Sequence, residues 1–107
     1  MGQLNGSEIL AKALKREGVE ELFFLMGGPM LTAEAATIQE GIRCIDVRHE
    51  QAAAMMAQAY SRLRQKPGFC MAASGPATIN LSTGLANALI DCCPVVALGG
   101  ASPMLGN

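Results

Sequence analysis

The sequence predicts an α/β protein: a three-layer, doubly wound parallel sheet with helices on both faces. Three observations lead there. Four short apolar runs, residues 22–26, 44–47, 69–73 and 95–98, alternate with segments of helical character, the pattern of successive βα units joined by crossovers. The first run, Leu22-Phe23-Phe24-Leu25-Met26, shows no in-out alternation, as a strand does when both of its faces are covered. Small turns recur where the runs end: Gly27-Gly28-Pro29, Ser74-Gly75-Pro76 and Gly99-Gly100. Glycine there permits close backbone approach, whether to a planar ligand or simply within a tight turn.

Each element has its own local reason. Asn5 to Ser7 offers a cap, and Ile9, Leu10, Ala13 and Leu14 form an apolar stripe that stops at Gly18, so the first element is an amphipathic helix. After the first strand and its Gly27-Gly28-Pro29 break, a helix is expected from about Leu31 to Gln39, ended by Gly41, before the strand at Cys44 to Val47. Gln51 to Leu63 holds neither Gly nor Pro and is dominated by good helix formers, with Glu50 leading it. Lys66-Pro67-Gly68 turns the chain into the strand Phe69 to Ala73. A helix from about Asn80 to Ile90 then carries Leu81, Leu85, Ala88 and Leu89 on one side, and Pro94 precedes the last strand, Val95 to Leu98.

A chain of 107 residues, 50% hydrophobic, can build the core of one small domain. Its net charge of −1 carries no basic surplus, so neither nucleic acid nor an anionic membrane is indicated as a partner. Arg62, Arg64 and Lys66 read as a solvated helix end whose cations suit the C-terminal dipole. No apolar stretch approaches the ~20 residues that span a bilayer, and no basic segment followed by an apolar one opens the chain. The cytoplasm is the expected compartment. Cys44, Cys70, Cys92 and Cys93 lack metal-type spacing and read as small buried hydrophobes in a reducing environment. His49 has no Cys or His neighbour in sequence with which to form a zinc site.

Glu50 stands where a strand's carboxyl end meets a helix's amino end. In open α/β sheets ligands bind in such crevices, which makes the carboxylate a functional candidate. The simpler reading is a first-turn acid complementing the helix dipole. Familiar ligand loops are missing: the sequence holds no G-x-x-x-x-G-K-[ST], no G-x-G-x-x-G after the first strand and no G-x-S-x-G. A flavodoxin-like mononucleotide binder would suit the sheet but lacks its Ser/Thr-rich phosphate loop.

Four stretches, Phe24-Leu25-Met26-Gly27-Gly28-Pro29, Arg48-His49-Glu50-Gln51-Ala52-Ala53, Ser74-Gly75-Pro76 with Asn80, and Pro94-Val95-Val96-Ala97-Leu98-Gly99-Gly100, resemble in order and spacing the pyrimidine-binding domain of thiamine diphosphate enzymes. Within that superfamily the chain resembles the group of acetolactate synthases, oxalyl-CoA decarboxylases and 2-hydroxyacyl-CoA lyases. The resemblance implies that Glu50 hydrogen-bonds the cofactor's aminopyrimidine N1′ and favours its imino tautomer, preparing thiazolium C2 for addition to a carbonyl. It implies cofactor contacts at Gly27, Gly28, Pro29, Ser74, Gly75 and Asn80. It further implies a 2-keto acid or acyl-CoA substrate, and a homodimer or homotetramer with the cofactor at the subunit interface. Residues 1–107 would be the N-terminal part of the pyrimidine-binding domain. The central domain, and a diphosphate-binding domain that holds magnesium through Gly-Asp-Gly and an asparagine motif, are not in these residues. Some features depart from the commonest pattern: Met30 stands where many relatives have glycine, and Ala77-Thr78-Ile79-Asn80 replaces a Gly-x-Thr-Asn ending. Gln65-Lys66-Pro67-Gly68 and Ala101-Ser102 look more like the acyl-CoA branch. The alternative reading is a non-catalytic α/β fragment or assembly module without an active site of its own.

Overall fold

The computed structural model describes residues 3–101. Four strands, β1 (Glu21–Phe24), β2 (Arg43–Asp46), β3 (Gly68–Ala72) and β4 (Val95–Gly99), form one wholly parallel sheet in the order β2-β1-β3-β4. Phe23 sits between Ile45 of β2 and Cys70 of β3, and Cys70 pairs onward with Ala97 of β4. The helices are α1 (Gly6–Arg16), α2 (Leu31–Gln39), α3 (Glu50–Arg64), α4 (Pro76–Asn80) and α5 (Ser82–Ile90), with a 3-10 turn over Gly28–Met30 ahead of α2. Because β2 lies on one side of β1 and β3 on the other, the winding reverses between β1 and β3. That reversal is the switch point where such sheets open a crevice.

The doubly wound expectation holds because the central strands present apolar residues to both faces. Leu22, Phe24 and Met71 pack with Leu14 of α1, Ala33 of α2, Val19 and Ile42. Phe23, Cys70 and Ala72 pack with Ala53, Ala54 and Ala57 of α3, and with Leu81 and Val47. The alanines bring α3 down onto the sheet: a Cβ added at Gly68 would lie 2.7 Å from the carbonyl carbon of Ala57, so only glycine fits at the start of β3. The flanking strands β2 and β4 are only partly covered.

Capping chemistry sets the helix starts. Asn5 and Glu8 form a reciprocal capping box, Glu8 N donating to Asn5 Oδ1 (2.8 Å) and Asn5 N to Glu8 Oε1 (2.9 Å). Val47 N donates to Phe24 O (2.9 Å), extending β2's pairing one step beyond the strand. His49 then caps α3, its Nδ1 accepting from Gln51 N at 3.0 Å.

Several expectations need correction. The helix expected from about Asn80 is α5, which starts at Ser82, and an unexpected short helix, α4, precedes it, begun by Pro76 directly after Gly75 with φ +64. The ladder then slips at Leu81, whose N–H bonds to Thr78 O in the i→i+3 manner before α5 begins. Leu89 is 80% exposed and Ile9 is 55% exposed, and Ala13 is exposed too. Leu14, Leu81 and Ala88 of the expected stripes are buried, and Ala11 and Gly84 complete the buried faces. The four cysteines are free, but only Cys70 is fully buried and Cys92 is exposed. Cys92 follows the end of α5 in the left-handed conformation (φ 57), which turns the chain towards β4. Ser102, half of the Ala101-Ser102 comparison, lies outside the described residues.

Candidate functional site

The crevice beyond β1 and β3 is built from interlocked loops. Gly27 is extended, and a Cβ there would collide with the Ala73 methyl, so the turn after β1 lies directly on the one after β3. Gly100 N donates to Ala72 O at 3.1 Å, and a Cβ on Gly100 would come within 3.1 Å of the Met30 side chain and 3.3 Å of the Ala73 carbonyl carbon. A Cβ on Gly99 would press on Thr78 at 2.9 Å. Thr78 Oγ1 itself donates to Ala73 O, closing the turn that contains Ser74 and Gly75. At Gly28 and Gly75 an added Cβ meets nothing within 4 Å, and Gly75 also needs its positive φ. Both positions therefore face open space.

Glu50 enters at the head of α3, directly after its His49 cap. It is only 9% exposed, and Asn80 Nδ2 donates to its Oε1 at 3.0 Å. That bond ties the end of α4 to the start of α3. Asn80 reaches because α5 sits flush on α3: a Cβ on Gly84 would strike the Ala54 methyl and lie 3.2 Å from Gln51 O. A buried carboxylate at a helix N-terminus, with one oxygen taken by an amide, can exchange a proton with a ring nitrogen presented to the other.

The residues singled out from sequence fall into two groups. Glu50 and Asn80 meet directly, while Gly27 lies on Ala73, the residue beside Ser74. Pro29 falls in the 3-10 turn. Among the described residues no hydrogen bond joins Ser74, Gly75 or the Gly27–Pro29 turn to Glu50. Sequence reasoning marked Gly99 only as a strand-end turn and missed the part played by Thr78 and Met30 in locking the loops. Beside Glu50 lies a shallow cavity of about 280 Å³, lined by His49, Gln51, Ala52 and Met55. Among the described residues no three His, Cys, Asp or Glu side chains converge as metal ligands.

Burial, and then the nearby Asp46 charge, raises the Glu34 carboxyl above its ordinary value. Burial pushes the Cys70 thiol up to about 11, and burial with Glu34 does the same to Cys44.

Switch-point crevice, glycine-lined strand ends and an amide-held carboxylate together define a cofactor-binding α/β domain without a phosphate loop. The chain belongs to the thiamine pyrophosphate enzymes, the family model for their N-terminal TPP binding domain matching residues 4–105. Among its relatives is the chloroplastic acetolactate synthase of Arabidopsis thaliana, 44% identical over 99 residues, covering 92% of this chain and 15% of the relative. Acetolactate synthase isozyme 2 large subunit of Escherichia coli (strain K12) is 42% identical over 105 residues, covering 96% and 19%. The 2-hydroxyacyl-CoA lyase 1 of Homo sapiens is 40% identical over 100 residues, covering 94% and 17%. The chain thus spans under a fifth of the length of these relatives. No helix among the described residues is long and apolar enough to cross a membrane.

Proposed function

We propose that this chain is the pyrimidine-binding part of a thiamine diphosphate enzyme that makes or breaks a C–C bond next to a carbonyl, and that Glu50 activates the cofactor. The observation that carries the reading is the placement of Glu50: nine-tenths buried, held by Asn80, at the helix head beside the switch point. The open backbone at Gly28 and Gly75 fits a flat aminopyrimidine. Gly27, Pro29, Ser74 and Asn80 are the further cofactor contacts of this reading. Thiamine diphosphate, when bound, supplies a nucleophilic carbon and an electron sink for the carbonyl substrate. Glu50 holds and returns the proton that the pyrimidine ring exchanges at N1′.

Magnesium and the diphosphate are assigned to the diphosphate-binding domain that the resemblance implies, where several oxygen ligands would hold the cation. The substrate is a 2-keto acid or an acyl-CoA, and Gln65-Lys66-Pro67-Gly68 and Ala101-Ser102 incline the assignment towards the acyl-CoA branch. The assembly is a homodimer or homotetramer with the cofactor between subunits. Apolar surface on Met55, Met56, Leu89 and Ile90 supports a covering partner. Free cysteines suit a cytoplasmic location.

Calorimetric titration of the complete protein with thiamine diphosphate and magnesium, followed by turnover assays with 2-keto acids and 2-hydroxyacyl-CoA, tests the reading. Saturable binding and cofactor-dependent carbonyl chemistry are expected. A complete protein that binds no thiamine diphosphate is instead a non-catalytic α/β module.

A further inference from the structure

We infer that Asn80 is a positioning residue: its amide keeps Oε1 of Glu50 an acceptor, so that a proton taken up by Glu50 rides on Oε2. The inference rests on the role proposed for Glu50 above. An amide NH₂ only donates, and Asn80 Nδ2 lies 3.0 Å from Oε1. A proton on Oε1 would turn it into a hydroxyl oxygen, a poorer acceptor for those N–H groups than the carbonyl oxygen that Oε1 remains when the proton sits on Oε2. Among the described residues Oε2 has no hydrogen-bond partner. The two oxygens are therefore inequivalent, with one anchored by protein and one left to a ring nitrogen.

The seam between α3 and α5 keeps this pair in register. Gly84 lets α5 lie against Ala54 and the Gln51 carbonyl. Two turns along α3, Asn87 Nδ2 donates to Gln58 Oε1 (2.7 Å) and Gln58 Nε2 to Asp91 Oδ2 (2.9 Å), and Gln58 is only 5% exposed. Amide bonds at both ends of the seam oppose rotation of α3 about its axis, and that rotation is what would re-aim Glu50.

The test uses the complete protein with Asn80→Asp, which keeps shape but removes the donor, and Asn80→Ala. Asn80 is exposed, so in the cofactor-free protein ¹⁵N NMR should show slowed solvent exchange at the one Nδ2 proton bonded to Glu50, and Glu50→Ala should remove that protection. With bound cofactor, both Asn80 variants should slow hydrogen–deuterium exchange at C2 by roughly 10–100-fold, the scale of a small misplacement of a reacting group. Cofactor affinity and KM should stay within about threefold while kcat falls, since the bond joins two groups of the protein and acts on the proton-transfer step alone. Asn80→Asp should be the slower, because two carboxylates so close share one proton. Exchange at the wild-type rate in both occupied variants overturns the inference. So does a loss of cofactor affinity that accounts for the whole effect, which would make Asn80 a cofactor contact and nothing more. If Glu50→Gln also exchanges at the wild-type rate, it is the proposed function that fails; if Glu50→Gln is slow while the Asn80 variants are normal, only the positioning role fails.

Discussion

Gly84→Ala puts two opposing effects in competition at the seam that aims Glu50. In an open helix interior, Ala is favoured over Gly by about 1 kcal/mol. Here the new methyl would strike the Ala54 methyl and stand 3.2 Å from Gln51 O and 3.3 Å from Met55 N. None of these atoms is the far end of a flexible side chain, so relief requires α5 to lift off α3. Such overpacking costs about 1–3 kcal/mol. Lifting also stretches the 3.0 Å Asn80–Glu50 bond, and a hydrogen bond to a charged group contributes about 1.5–3 kcal/mol. The unfavourable effects exceed the propensity gain, leaving a net loss of about 2 kcal/mol or more. For a domain of this size that corresponds to a fall in melting temperature of roughly 8–16 °C. Thermal unfolding followed by circular dichroism measures it. A variant as stable as wild type, or more stable, would show that helix propensity wins and that α5 is not seated as tightly as described.

Two further outcomes follow from burial. Glu34 is 7% exposed, and its folded-state carboxyl is raised above the ordinary 4.5, first by burial and then by Asp46. The native state therefore holds a proton that the unfolded chain has released, so this group's contribution to stability declines as pH rises from 4.5 through the raised value. Glu34→Gln should abolish that decline, and urea midpoints that show the same pH dependence in both proteins over that window would contradict it. Thiol alkylation under native conditions, mapped by mass spectrometry, should modify exposed Cys92 first and Cys44 and Cys70 last, because burial blocks access and lifts those two thiols to about 11. Early labelling of Cys70 would refute the described packing of β3.

The alternation of strands and helices was legible because apolar runs and glycine punctuation are local signals. Leu31–Gln39 matches its expected range, and each strand lies within two residues of its expected bounds. Glu50 was legible from the strand-to-helix junction it occupies. Other features depend on contacts across the fold. Asn80 reads as a cofactor contact in sequence, and its bond to Glu50 emerges only from the close approach that Gly84 permits. His49, considered in sequence only as a metal ligand without partners, serves as the cap of α3. Ile9 and Leu89 were misplaced because helical periodicity identifies an apolar stripe without showing which neighbour covers it. Cys92 was misread because its exposure follows from a left-handed turn that residue type does not announce.

The central claim is that Glu50 exchanges a proton with the cofactor's aminopyrimidine. Hydrogen–deuterium exchange at C2 of bound thiamine diphosphate, followed by NMR in the complete wild-type protein and in Glu50→Gln at matched occupancy, isolates that step from substrate binding. The amide preserves the shape of the side chain and removes its proton exchange, so exchange should slow by ~10²–10⁴-fold, the usual cost of losing an acid-base partner. Equal rates in the two proteins with cofactor demonstrably bound would reduce Glu50 to a first-turn residue complementing the dipole of α3.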